Sequence, residues 1–231
     1  MKRSIYSAWI SLKNKRLSNM DGLLLCEKTV RDIPIFLAAV CDGVGSTQDG
    51  AYAAAQTLIM LHKWFYVLEQ TESLGLHFLS RMKKINTELS RQILNQDLKA
   101  ATTFSAIFMT PDWYYLIHVG DSRIYGWKDR CLVQMTQDCV TSQGELCSYL
   151  GQEKSADFMY CEGRNEYQKY LLCTDGLYKR MDPEFLKEQM ARVTKRNMKK
   201  IQKVLVNSVI SGGEQDNITV AIIINEEGGQ G

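Results

Sequence analysis

Hydrophobic and polar positions along the chain alternate between two periods. Ser4 to Ile10 interleaves polar and apolar residues, as a half-buried strand does. Leu23 to Thr29 and Ile35 to Cys41 are short apolar runs separated by Arg-Asp-Ile-Pro, which predicts two strands joined by a turn. Gly43 and Gly45 break that pattern. Ala51 to Leu68 and Leu74 to Leu98 then carry apolar residues at helical spacing, the second with most of its charge on the outer face. After Ala100 the period returns to two. Thr103 to Met109, Trp113 to Val119, Arg123 to Trp127 and Cys131 to Met135 read as strands, with Pro111-Asp112 and Gly120-Asp121 as breaks. Gln137 to Gln168 is polar and poorly periodic. Tyr170 to Thr174 predicts a buried strand ending at Asp175-Gly176. Pro183 to Val193 and Lys199 to Ile210 predict helices, and Ile218 to Ile224 a last strand. Strands, two helices, strands, then helices is the order of a layered α+β fold. Nothing divides the chain, so residues 1–225 are expected to form one domain and 226–231 a flexible Gly-rich tail.

Composition narrows the classes. The chain has 231 residues, 45% hydrophobic and 23% charged, enough for a real core. Lys+Arg number 28 and Asp+Glu 26, a net +2. That surplus gives no electrostatic case for nucleic acid, and no Lys/Arg block interleaves with aromatics. The longest nearly uncharged stretch, Ile33 to Cys41, is about half a membrane span, and no signal peptide pattern opens the chain. Seven cysteines at irregular spacing, without a CxxC pair, fit free thiols in a reducing cytoplasm. A monomer is expected.

Since acids and bases nearly cancel, any local excess of carboxylate must come from arrangement. Asp-containing signals recur at strand ends: Asp21-Gly22, Asp42-Gly43-Val44-Gly45, Gly120-Asp121-Ser122-Arg123 and Thr174-Asp175-Gly176, with Glu214-Gln215-Asp216-Asn217 preceding a strand. A single Asp-Gly is ordinarily a turn. A set that delivers acids to one rim of a sheet is different, because gathered carboxylates repel and raise one another's pKa. Cations among them relieve this, and Mg²⁺ and Mn²⁺ are the ions that choose carboxylate oxygen. His62, His77 and His118 fall outside these signals, in core or surface positions.

The ordered set Arg16-x-x-Asn19-x-Asp21, Asp42-Gly43-Val44-Gly45, Thr102-Thr103, Gly120-Asp121-Ser122-Arg123, Leu146 to Gly151, Cys173 to Leu177 and Asp216 to Val220 resembles the metal-dependent Ser/Thr protein phosphatases of the 2C type, bacterial branch. The resemblance implies a four-layer α-β-β-α sandwich with two central antiparallel sheets. It implies two Mn²⁺ or Mg²⁺ ions, with a third, weaker site, and hydrolysis of phosphoserine and phosphothreonine by a metal-bridging water. Carried over residue by residue, Asp42 would bridge both metals and Gly43 lend its carbonyl. Asp175 and Asp216 would hold the first metal, Asp21 would stand beside the second, and Asp121 would help hold the third. Arg16 would bind phosphate, and Arg16, Asp42 and Asp175 would be the catalytic set. Phosphorylated proteins, including a Ser/Thr kinase and its substrates, would be the partners.

Four features depart from that family's pattern. Met20 replaces an acid or amide before Asp21, and a thioether cannot serve a metal-bound water as a carboxylate does. Val44 stands where many eukaryotic members have a histidine. Lys179 stands where many members have an acid near the third metal, so the cation either disfavours that metal or points outward. The segment between Gln137 and Gln168 is short. Met20 and Lys179 keep a second reading open, a catalytically weak module that binds phosphopeptides or a kinase. Cys41 and Cys173, next to the acids, are expected to be buried filler. Trp113-Tyr114-Tyr115 is expected to be core with one exposed tyrosine.

Overall fold

The computed structural model describes residues 3–152 and 156–227. Three strands, β1 (Arg3–Leu12), β2 (Asp21–Val30) and β3 (Ile33–Asp42), precede helices α1 (Gly50–Val67) and α2 (Leu74–Asn95). Then come β4 (Phe104–Met109), β5 (Trp113–Val119), β6 (Arg123–Lys128), β7 (Cys131–Gln134), β8 (Met159–Arg164) and β9 (Lys169–Cys173). Helices α3 (Asp175–Tyr178), α4 (Pro183–Arg192) and α5 (Met198–Ser211) lead to β10 (Ile218–Glu227).

The strands form two antiparallel sheets of five, ordered β1-β10-β9-β6-β7 and β2-β3-β4-β5-β8. Strand periodicity sorts the side chains into three packed layers. On β3, Ile35, Leu37, Ala39 and Cys41 face α1 and α2, where Phe65, Phe78 and Phe108 meet at ring separations of 5.7 Å. Phe36, Ala38 and Val40 face the other sheet and pack with Tyr170, Leu172, Ala221 and Ile223. The outer face of that second sheet, including Leu171, Cys173, Val220 and Ile222, packs on the α3–α5 side against Leu186, Met190 and Leu205. The result is the expected four-layer α-β-β-α sandwich. Cys41 and Cys173 are buried filler in its two outer layers. No helix among the described residues is long and apolar enough to cross a membrane.

Most differences from the pattern reading concern ends. Arg31 and Asp32, both at positive φ (46° and 66°), make a two-residue turn whose twist suits adjoining strands, so β2 and β3 extend to it. The second long helix stops at Asn95 rather than Leu98, and Asp97, at φ 53°, redirects the chain. β10 runs through Glu227, with Glu226 paired to Ser4, so the flexible tail expected from 226 does not start there; residues 228–231 lie outside the described ones. Two elements lacked a periodic signal. β8 is an edge strand, exposed or half-buried along its length, and owes its pairing to β5. α3 is a single turn started where β9 ends. Of the aromatic run, Tyr114 is buried, Tyr115 half-buried and Trp113 exposed under the Arg164 guanidinium, 4.5 Å from its ring centroid.

Candidate metal centre and phosphate site

The same parity that builds the inter-sheet layer delivers acids to its end. Asp42 follows Val40 by two residues and so projects between the sheets. Asp21 stands directly opposite Asp42 as the terminal rung of the β2–β3 ladder. From the facing sheet, Thr174 Oγ1 donates to Asp21 Oδ2 at 2.8 Å. The next residue, Asp175, opens α3. It can lie so close to the Asp216 loop because residue 176 is glycine: a Cβ there would sit 2.0 Å from the Asn217 carbonyl oxygen. Gly43 is pinched in the same way, with room for no Cβ between Gly50 and the Met20 carbonyl.

Buried polar groups hold the frame behind the acids. Thr103 Oγ1 accepts from the Asp42 N–H at 3.0 Å and meets Ser122 Oγ at 2.8 Å. Thr102 Oγ1 donates to the Asp42 carbonyl at 2.9 Å. Removing the Thr103 hydroxyl would leave an unpaired buried N–H, at a cost of about 1–3 kcal/mol. Ser105 Oγ bonds the Ser122 carbonyl and His118 Nδ1, at 2.8 and 2.7 Å. His118 is thus a buried core histidine, while His62 and His77 are exposed, as the pattern reading expected.

Arg16 sits on the loop between β1 and β2. Asn217, almost fully buried, pins that loop: its Nδ2 donates to the carbonyls of Lys13 and Ser18, at 3.0 and 2.9 Å, and its Oδ1 accepts from the Met20 N–H at 2.8 Å. The motif Asp216-Asn217 was visible in the sequence, but not this role. The loop so placed sends Arg16 to Asp216 in a fork, Nε to Oδ1 at 2.8 Å and Nη2 to Oδ2 at 2.6 Å. Lys179 turns inward, not outward. Its ammonium bonds Asp175 Oδ2 at 2.5 Å and lies 3.8 Å from Asp121. Asp121 Oδ2 also accepts from Tyr178 Oη at 3.3 Å, and Arg123 stacks on the Tyr178 ring while gripping Asp138. The Arg123–Asp138 pair had no local sequence signal, since the two lie fifteen residues apart.

The electrostatics follow. Burial, then repulsion from Asp21 and Asp175, raises Asp42 well above the usual carboxylate range. Burial, resisted by hydroxyl hydrogen bonds, pushes Asp21 up to about 7. Burial and Asp175 also raise Asp121, against the pull of Lys179. Burial works to raise Asp216, but the bonds from Arg16 and the Asn217 N–H outweigh it and hold the carboxyl low. Among the described residues, no three His, Cys, Asp or Glu side chains stand close enough to grip one ion as they are. The donor set nonetheless suits hard divalent cations. It is all oxygen, Asp21 and Asp42 are raised by burial and then by neighbouring carboxylates, and Asp21 Oδ1 is buried with no hydrogen-bond partner.

A family model described as protein phosphatase 2C matches residues 15–209, a span that contains Asp21, Asp42, Asp121 and Asp175 but not Asp216. The chain belongs to the protein phosphatase 2C family. The serine/threonine protein phosphatase PstP of Mycobacterium tuberculosis is 26% identical over 214 residues, which cover 80% of this chain and 40% of PstP; the chain thus spans less than half of that relative. Among solved structures, the serine/threonine phosphatase Stp1 from Staphylococcus aureus superposes with a TM-score of 0.87 at 18% identity, covering 97% of this chain and 96% of Stp1. The PstP catalytic domain in complex with two manganese ions superposes with a TM-score of 0.78 at 23% identity, over 98% of this chain and 100% of that domain. These structures share the fold of this chain.

Proposed function

We propose that this chain is a Mn²⁺- or Mg²⁺-dependent protein serine/threonine phosphatase that hydrolyses phosphoserine and phosphothreonine monoesters. The observation that carries the reading is the convergence of Asp21 and Asp42 from one sheet with Asp175 and Asp216 from the other, beside Arg16. Membership of the family and the manganese-bound PstP domain support it.

On this reading Asp42, Asp21, Asp175 and Asp216, with the Gly43 carbonyl, would hold two ions, and Asp121 would help hold a weaker third. When bound, a pair of such ions supplies a nucleophilic water near neutral pH and stabilises the attacking and leaving oxygens of an in-line displacement. The protein's own contribution is position and charge. Thr102 and Thr103 fix the Asp42 backbone, so that its carboxylate direction does not depend on loop motion. Arg16 presents a planar fork matched to two phosphate oxygens and stays protonated throughout. Half its side-chain surface is exposed, so a phosphate can reach it. Partners on this reading are phosphorylated proteins, among them a Ser/Thr kinase and that kinase's substrates.

The self-neutralised pairs Arg16–Asp216 and Lys179–Asp175 favour a second reading, a weakly catalytic module that binds phosphopeptides. One experiment separates the two. Hydrolysis of p-nitrophenyl phosphate and of a phosphothreonine peptide is measured with Mn²⁺, with chelator, and in Asp175→Asn. Mn²⁺-dependent turnover lost in Asp175→Asn is the expected result. Turnover no higher than that variant's background removes the enzyme reading, and peptide binding without turnover establishes the module.

A further inference from the structure

A pair of reactive groups lies outside the acidic cleft. Residues 139–147 form a short hairpin: Val140 bridges Leu146, the Cys147 N–H donates to the Cys139 carbonyl at 2.9 Å, and the Thr141 N–H donates to the Glu145 carbonyl at 2.7 Å. Cys139 and Cys147 are therefore directly opposed on an antiparallel ladder. Opposed residues of a hydrogen-bonded antiparallel pair have Cα atoms about 5.5 Å apart. That falls inside the roughly 4.4–6.8 Å a disulfide spans. Opposed side chains share a face, so the two thiols lie on the same side of the hairpin and are near enough to act on each other. Both cysteines are free, Cys147 exposed and Cys139 half-buried. Burial, then the neighbouring Cys147 thiol, pushes the Cys139 thiol up. The exposed Cys147 is thus the sulfur that a dissolved oxidant meets first.

We propose that Cys139 and Cys147 are a reversible redox pair that a peroxide closes into an intrachain disulfide. In the first step the Cys147 sulfur attacks a peroxide oxygen. The O–O bond breaks, water leaves, and the sulfur becomes a sulfenic acid, oxidised by two electrons. In the second step the Cys139 sulfur attacks Cys147, the S–S bond forms, the S–O bond breaks, and hydroxide leaves with the Cys139 proton as a second water. Two thiols and hydrogen peroxide give one disulfide and two waters.

The hairpin is anchored at both ends to residues that place the acids. The Cys139 N–H donates to the Gly120 carbonyl at 2.7 Å, next to Asp121. Leu150 exchanges backbone hydrogen bonds with Thr102, which holds the Asp42 carbonyl. The linkage would therefore tie down the segment between these two anchors. The inference is read from the hairpin and does not depend on the phosphatase reading.

The test uses the full chain. It is treated with hydrogen peroxide, alkylated, and cleaved with a protease that cuts after Glu145, which separates the two cysteines. The expected result is an intact mass lower by two hydrogen atoms before alkylation, and after cleavage the Cys139 and Cys147 peptides joined until a dithiol reductant parts them. Cys139→Ser should abolish the link and leave Cys147 open to a sulfenic-acid probe. Oxidation of Cys147 to sulfinic acid without a link, or links made to Cys131 or Cys161 instead, overturns the proposal.

Discussion

Asp21 and Asp42 face each other as the last rung of the β2–β3 ladder, two carboxylates where a sheet would ordinarily place complementary side chains. Like charges in that position destabilise the sheet, and burial adds to the effect. The consequence has a sign. Asp21 is raised from an ordinary 3.8 to about 7, so the native chain holds its proton more tightly than the unfolded chain. With chelator present, stability should fall as pH rises from about 4 to about 7. Asp21→Asn should flatten that slope and stabilise the chelated protein at pH 8, by on the order of 1 kcal/mol. The same change should weaken Mn²⁺ binding by about 10-fold or more, since affinity follows ligand charge. Thermal melts with and without chelator, and calorimetric titration, measure both.

Arg16 tests the phosphate site. A charge-assisted fork contributes about 1.5–3 kcal/mol. Arg16→Ala should therefore lower kcat/KM for a phosphothreonine peptide roughly 10- to 150-fold. Mn²⁺ affinity should not fall, because the guanidinium leaves Asp216 free. Arg16→Lys should restore little, since an ammonium cannot bind two oxygens in a plane. A variant with unchanged kcat/KM would remove Arg16 from the phosphate site.

Lys179 is the protein's own cation among the acids. Burial pulls its pKa down, but Asp175, Asp121 and Asp42 together hold it above the ordinary value. Its side chain is about half exposed, so solvent screens the pair. Lys179→Met should cost the chelated protein less than about 1 kcal/mol. It should strengthen Mn²⁺ binding, because a competing cation is gone. Weaker Mn²⁺ binding in the variant would show that Lys179 orders the site rather than competing within it.

His118 supplies a pH response of the opposite sense. Burial lowers it from its ordinary 6.5, against the opposing effect of the Gln137 carbonyl. That carbonyl can only accept, so Nε2 carries a proton. Asp138 is the charged group that acts on it, and it too favours protonation. The unfolded chain takes up a proton below 6.5 more readily than the native one, so stability should drop as pH falls from 6.5. His118→Gln should flatten this limb while costing about 1 kcal/mol at pH 8 for the altered hydrogen bonds. Melting temperatures across pH 5 to 8, at fixed Mn²⁺, decide it; an equally steep acid limb in the variant would assign it to other groups.

The sequence by itself determined the strands and helices whose burial is one-sided or complete, because a period of two or 3.6 records which face meets the core. It also marked Asp21, Asp42, Asp121, Asp175 and Asp216 as acids at strand ends, and ordered motifs gave their family. β8 was not legible, since an edge strand draws its pairing from a neighbour far along the chain. Nor was the direction of Lys179. A residue four positions after Asp175 can point either way until α3 has been packed against β10, and only that packing turned the ammonium toward Asp175 and Asp121. The pinning of the Arg16 loop by Asn217, about two hundred residues away, belongs to the same class. Local pattern fixes what a segment is. Contacts between segments distant in the chain fix where its charges end up, and in this protein those contacts assemble the site.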